Sequence, residues 1–442
     1  MLNVRYDLPN IYFMNDFLKM LQWRGMLHEI TPGLDEALSK KKLTGYIGYD
    51  PTAASLHVGN LATLMLLTHF QKAGHRPIAL IGGATGMIGD PSFKTLERSF
   101  LSEEVIRHNQ ACIGNQLAQF LDFETTDNKA KVLNNIDWFG DMGFLTFLRE
   151  VGKYIPVNYM MAKDAVKRRL ETGISFTEFS YTLLQAYDFY HLYIHHDVDL
   201  QMGGADQWGN LTTGIELIRK KASKEVFALT TPLITKSDGT KFGKTEQGNI
   251  WLDPNMTTPY DFYQFWLNSS DADVIKYIKI FTFLPKEEIM MYIAQHQEAP
   301  HQRLLQKLLA KIVTTYVHSD TVCKQVEKTA TLLFGHATAA DLHQFEESYF
   351  HFLARNIPQV TVSQAEIKEM ETIVDLIAYT GKVTMLDSKG AVRRAIQEGG
   401  IYINKVRITD ANQSITLLKP LHQQYLLVQK GKKHHYLIRF AK

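Results

Sequence analysis

His57, Gly59 and Asn60 stand where an apolar run, Leu43 to Tyr49, has been broken by Asp50-Pro51 and an uncharged run begins at Leu61. The pattern reads as strand, turn and helix start. Unpaired backbone N–H groups and the positive end of the helix dipole favour a phosphate at such a junction. An ordinary capped turn has the same pattern, so other residues must decide. A second group lies in Gly82-Gly83-Ala84-Thr85-Gly86-Met87-Ile88-Gly89-Asp90, where four glycines and one acid follow the apolar strand Ile78 to Ile81. A third is Tyr181, Gln185 and Asp188, at steps of four and three, which share one helix face. That face suits either a ligand or plain solvent. Gly203-Gly204-Ala205-Asp206-Gln207 again ends a strand. Lys236, Lys241 and Lys244 crowd a stretch with three glycines and few apolar residues, a mobile loop whose ammonium groups suit a triphosphate. A solvated hairpin is the plainer alternative.

The elements that must hold these groups follow from periodicity. Helices are expected over 15–25, 34–42, 102–121, 161–170 and 177–193, and strands over 43–49, 78–81 and 198–202. Strand and helix alternate from 43 to 230, which predicts a doubly wound parallel sheet with its ligand crevice at the carboxyl ends of the strands. Beyond Asp253 the alternation stops, and helices are expected over 256–268, 271–281, 285–297, 301–318 and most of 319–354. Residues 355–370, with Pro358, Thr361 and Ser363, read as a linker. A basic helix around Arg393-Arg394 and short strands at 401–403, 424–428 and 436–440 close the chain. The division expected is 1–253 as a catalytic domain with a connective insertion, 254–354 as a helical domain, 355–372 as linker and 373–442 as a small α+β module.

At 442 residues the chain exceeds one comfortable core, and 45% hydrophobic against 21% charged residues excludes a disordered protein. Cys112 and Cys323 form no ligand pair or disulfide framework, which suits a reducing compartment. The first residues show neither the basic n-region nor the apolar h-region of a signal peptide, so none is expected, and the uncharged run 52–71 contains His57, Asn60 and His69, too polar for a membrane span. From Gly381 onward twelve Lys and Arg face three acids, a local +9. The whole chain carries +2, so the rest is close to −7. That asymmetry points to a nucleic acid. The basic face Lys163, Lys167, Arg168 and Arg169 reads as solvated instead. Tryptophans and the pairs Met160-Met161 and Met290-Met291 read as core packing.

Taken together, these stretches resemble the tyrosyl-tRNA synthetases of bacterial and organellar type over nearly the whole chain. His57-Val58-Gly59-Asn60 is similar to the "HIGH" signature of class I enzymes, and Lys241-Phe242-Gly243-Lys244-Thr245 to the "KMSKS" loop. The Gly82–Ser92, Tyr181–Asp188 and Gly203–Asn210 stretches match in order and spacing, and the C-terminal segment resembles an S4-like RNA-binding domain. The resemblance implies a Rossmann-like catalytic domain, a helical anticodon-binding domain and an S4-like module. It implies a cytoplasmic homodimer acting on L-tyrosine, ATP with Mg²⁺, and tRNA(Tyr), with no resident metal, organic cofactor or membrane partner. Thr52, His57, Lys241, Lys244 and Thr245, assisted by Lys94 and Arg98, would neutralise charge during adenylate formation. Asp50, Gly59, Asn60, Gly204 and Asp206, with Lys244, would hold ATP. Tyr46, Asp90, Tyr181, Gln185, Asp188 and Gln207 would hold tyrosine. Two positions depart from the pattern: Asn60 replaces the usual histidine, and Phe93 replaces a small residue before Lys94. Tryptophanyl enzymes also use asparagine at the first, so a tryptophan-activating enzyme and a noncatalytic RNA-binding scaffold remain alternatives.

Overall fold

The computed structural model describes residues 14–92, 101–125, 127–163, 166–167, 173–245, 248–335, 337–381, 386, 388–431 and 434–441. Contacts gather Met1–Met256 with Asn268–Leu309 into one unit, and Thr257–Leu267 with Ala310–Lys442 into another.

The first unit is built on a six-stranded sheet. In chain order its strands are β1 (Glu29–Ile30), β2 (Thr44–Tyr49), β3 (Arg76–Ile81), β4 (Lys131–Asn134), β5 (Val198–Gly204) and β6 (Phe227–Thr231). Their spatial order is β1-β6-β5-β2-β3-β4. β2 to β6 run parallel, as the alternation predicts, while β1 adds an antiparallel edge through Glu29↔Thr230 and Ile30↔Leu229. Two residues are too few to leave a periodic signal, which is why the edge is absent from the sequence reading. The chain reverses its winding between β2 and β5, so their carboxyl ends open a crevice.

Helix starts are fixed by local caps. His57 Nδ1 accepts from the Gly59 N–H at 3.0 Å while Asn60 Oδ1 accepts from the His57 N–H at 3.1 Å, which opens the helix Val58–Lys72. Reciprocal caps of this kind contribute about 0.5–2 kcal/mol. The helix Phe176–His196 starts at Ser175, whose hydroxyl accepts from the Glu178 N–H. The expected helix 161–170 shares only Met161 with the helix Val157–Met161, which ends at Ala162; 164–165 and 168–172, including Arg168 and Arg169, lie outside the described residues.

Two expected boundaries are corrected. The helices Asp271–Ile280 and Lys286–Glu298 group with the sheet unit rather than with a helical domain spanning 254–354. The Arg24 guanidinium holds them there, donating to the carbonyls of Lys279 (2.6 Å), Thr282 (2.7 Å) and Leu284 (2.7 Å). The stretch 355–372 is not a bare linker either, because β9 (Gln359–Val362) is a strand of the C-terminal sheet. That sheet also contains β10 (Ile401–Ile403), β11 (Val406–Arg407), β12 (Tyr425–Lys430) and β13 (His434–Phe440), in the order β11-β10-β12-β13-β9. β9 pairs in parallel with β13, from Gln359↔Leu437 to Val362↔Phe440. Pro358 precedes the ladder and needs no donor within it, so it does not break the strand. The helix Lys389–Gln397 buries Val392 and Ile396 and leaves Arg393 and Arg394 exposed.

Met160 is core, but Met161, Met290 and Met291 are exposed, contrary to the packing expected of them. Among the described residues no helix is long and apolar enough to cross a membrane.

Candidate active site

The carboxyl ends of the central strands open into a cleft of about 880 Å³. Tyr46, Asp50, Thr52, His57, Gly59, Asn60, Asp90, Tyr181, Gln185, Asp188, Gly204, Asp206, Gln207, Lys241 and Lys244 all line it. Lys94 and Arg98, with Phe93, lie outside the described residues, as does the side chain of Thr245.

On one side the helix Phe176–His196 turns its polar face inward rather than to water. Asp188 is 2% exposed and Tyr181 5%. The Tyr181 hydroxyl donates to Asp50 Oδ2 at 2.8 Å, and Thr85 Oγ1 donates to Asp50 Oδ1 at 2.7 Å. Asp50, expected on the nucleotide side, is thus tied to Tyr181, which is expected on the other. Gln207 Nε2 donates to Asp90 Oδ2 (2.7 Å) and Asp206 Oδ2 (3.2 Å), which joins the second and fourth sequence groups.

Asp188 is held by two residues that the sequence reading left out of the site. Asn135 Nδ2 donates to Oδ2 at 3.1 Å and Trp138 Nε1 to Oδ1 at 2.9 Å. Asn135 follows β4, a strand with no alternation of its own, and Trp138 reads in sequence as core. The asparagine pair after Val132-Leu133 was the one usable signal. Nearby, the Tyr46 hydroxyl and Gln185 Oε1 are buried and have no hydrogen-bond partner among the described residues. Asp188 is close enough to Tyr46 for its charge to raise the phenol's pKa, second only to burial.

Burial pushes the Asp188 carboxyl up from 3.8 to about 8, against the two donors that favour its ionised form. An unfolded aspartate loses its proton near 3.8. Between that value and about 8 the native state holds a proton that the unfolded chain has lost. Stability therefore falls as pH rises through this window and levels off above it. Asp188→Asn has no such proton, so its melting temperature should lack this slope. Melting curves of both proteins from pH 5 to 9, without substrate, test this; parallel pH profiles would refute it.

On the other side, the lysine stretch is a hairpin, with β7 (Lys244–Thr245) paired to β8 (Gly248–Asn249) and a bridge from Thr235 to Lys241. Phe242 anchors it, stacked on Phe281 with ring centroids 5.4 Å apart. Gly243 has φ +77°, and a Cβ there would lie 2.6 Å from Val58 Cγ2, so only glycine brings the hairpin this close to the signature helix. At Gly59 a Cβ would lie 2.7 Å from the His57 ring, so the glycine first makes room for that imidazole. Lys241 and Lys244 are exposed beside it.

Residues 38–335 match the family model described as tRNA synthetases class I (W and Y), which makes the chain a class I aminoacyl-tRNA synthetase. Residues 350–438 match a second model, the tyrosine–tRNA ligase SYY-like C-terminal domain. The tyrosine–tRNA ligase of Amoebophilus asiaticus is 64% identical over 97% of this chain and 100% of its own length. That of Cytophaga hutchinsonii is 54% identical over the same shares. A C-terminally truncated mitochondrial tyrosyl-tRNA synthetase from Aspergillus nidulans superposes with a TM-score of 0.66 at 30% identity, covering 72% of this chain and 94% of that one. The chain belongs to the tyrosine–tRNA ligases.

Proposed function

We propose that this chain activates L-tyrosine with ATP and transfers it to the terminal adenosine of tRNA(Tyr), using the residues gathered in the cleft. The observation that carries the substrate assignment is the buried, unpartnered Tyr46 hydroxyl near an Asp188 carboxyl already oriented by Asn135 and Trp138. One donor and one acceptor converge there, which is what a phenol hydroxyl needs. Asp90, Tyr181 and Gln185 receive the α-ammonium group, with Gln207 orienting Asp90.

The tyrosine carboxylate attacks the α-phosphorus of ATP, the bond to the pyrophosphate oxygen breaks, and tyrosyl-adenylate forms. A ribose hydroxyl of the tRNA then takes the acyl group and AMP leaves. The nucleophile comes from the substrate in both steps, so the protein positions groups and neutralises charge. Thr52, His57, Lys241, Lys244 and Thr245 face the phosphates in this reading, with Lys94 and Arg98 assisting. Asp50, Gly59, Asn60, Gly204 and Asp206 hold the adenosine. Mg²⁺ enters as part of the nucleotide substrate.

The helical region and the basic C-terminal module, with exposed Arg393, Arg394 and Arg407, take the tRNA in this reading. The cytoplasm is the compartment it implies. The active form is a homodimer, supported by exposed apolar side chains concentrated between 144 and 176. Leu145 is 74% exposed and Phe176 67%, and Phe144 and Val157 are exposed as well. The double substitution Leu145→Asp/Phe176→Asp should convert a dimer to monomer in sedimentation at micromolar concentration. A wild-type monomer, or an unchanged variant dimer, would count against this surface.

Amino-acid-dependent ATP–pyrophosphate exchange without tRNA tests the activation step, with tyrosine, phenylalanine and tryptophan in parallel. Exchange with tyrosine alone is expected. Exchange with tryptophan would move the substrate, and no exchange from folded protein that still binds tRNA would favour the noncatalytic scaffold.

A further inference from the structure

Ser55 lies two residues before His57 and is 4% exposed. Its hydroxyl uses its donor and both acceptor positions. Ser55 Oγ donates to the Leu56 carbonyl at 2.6 Å and accepts from Gln116 Nε2 at 2.9 Å and the Asp253 N–H at 3.0 Å. Gln116, on the helix Glu103–Leu117, completes a ring by accepting from the Leu56 N–H through Oε1 at 2.8 Å. The same helix sends Asn109 Nδ2 to the Pro51 carbonyl at 2.9 Å. Both ends of the loop between Asp50 and His57 are therefore held from one side.

The Asp253 contact reaches the other nucleotide-facing element. Residues 250–252 run antiparallel to the signature turn, with Val58 N–H donating to the Ile250 carbonyl (2.9 Å) and Leu252 N–H to the Leu56 carbonyl (2.8 Å). The Ile250 N–H in turn donates to the Gly243 carbonyl at 3.0 Å, inside the lysine hairpin. A continuous hydrogen-bonded path thus runs from Gln116 through Ser55 and residues 250–253 to the backbone between Lys241 and Lys244.

We infer that Ser55, with Gln116, is a positioning residue for the ATP half of the reaction, setting His57 and the lysine hairpin at a fixed separation. It touches neither substrate in this role and acts through the two elements it joins. The inference rests on the activation chemistry proposed above. Apart from Asp50, whose carboxylate accepts from Tyr181, the residues assigned to tyrosine lie on other elements, so tyrosine affinity should change little.

Ser55→Ala and Gln116→Met remove the hydroxyl and the amide separately, the second with little change in side-chain length. Each should lower kcat/KM for ATP in pyrophosphate exchange by about 10- to 100-fold, the cost of misplacing reacting groups by a fraction of an ångström to an ångström. The dissociation constant for tyrosine, measured without ATP, should stay within about twofold of wild type because the lost contacts do not face it. The double variant should be no worse than the product of the singles, since both break one network. Gln116→Met keeps the test informative if Ser55→Ala folds poorly. Wild-type kinetics in both variants, or equal losses for tyrosine and ATP, would overturn the inference while leaving the activity standing. Wild-type protein without exchange would overturn the reading beneath it.

Discussion

Asp188→Ala should collapse the preference for tyrosine over phenylalanine while leaving ATP binding nearly intact. The carboxyl is 2% exposed and accepts from Asn135 and Trp138 on different oxygens, so neither oxygen is free to swing away from the ligand. Removing it strands two donors and takes away the acceptor for the substrate phenol. Leaving a buried hydrogen-bonding group without its partner costs about 1–3 kcal/mol, or roughly 5- to 150-fold in kcat/KM for tyrosine. Phenylalanine never makes the contact, so its kcat/KM should change far less. The starting ratio of about 10⁵ is the standard figure for tyrosyl-tRNA synthetases themselves, for which hydroxyl recognition is the model case, and is not calculated from these distances. Pyrophosphate exchange with both amino acids measures the ratio. If selectivity persisted in a folded variant, the phenol would have to be read elsewhere.

The difference between what the sequence announces and what it conceals is visible around this one residue. Tyr181, Gln185 and Asp188 are legible because a helix repeats every 3.6 residues, and three polar side chains on one face interrupt an otherwise apolar pattern. Tyr46 and the signature turn are legible because Asp50-Pro51 ends a buried strand abruptly. Asn135 and Trp138 are not. They follow a four-residue edge strand, and what matters about them is the 50-odd residues of chain that separate them from Asp188, a distance no local pattern encodes. Ser55 and Gln116 are hidden for the same reason, with 61 residues between the hydroxyl and the amide. The antiparallel β1 and the strand at Gln359–Val362 were missed on other grounds. Each is short and takes its identity from the longer strand it pairs with, so tertiary context overrides weak local preference.

Removing the Lys244 ammonium should lower the rate of adenylate formation by about 10²–10³-fold, the usual loss for one preorganised charge-stabilising group, without weakening tyrosine binding. Negative charge moves onto the departing pyrophosphate as the α-phosphorus changes partners, so a lysine facing those oxygens acts mainly in the transition state. The hairpin is suited to present it. Phe242 packs against Tyr277 and Phe281, and Gly243 seats the turn on Val58, while Lys241 and Lys244 on either side remain exposed toward the cleft. The ordered residues between the two lysines fix their spacing, and the flexible stems allow each ammonium to follow the charge. Lys244→Ala should therefore depress kcat with little change in the tyrosine dissociation constant. Rapid mixing of the tyrosine complex with ATP separates the two quantities. A normal rate of adenylate formation would show that Lys244 does not face the leaving group, and a matching loss of tyrosine affinity would show that the hairpin supports the whole cleft rather than the phosphates alone.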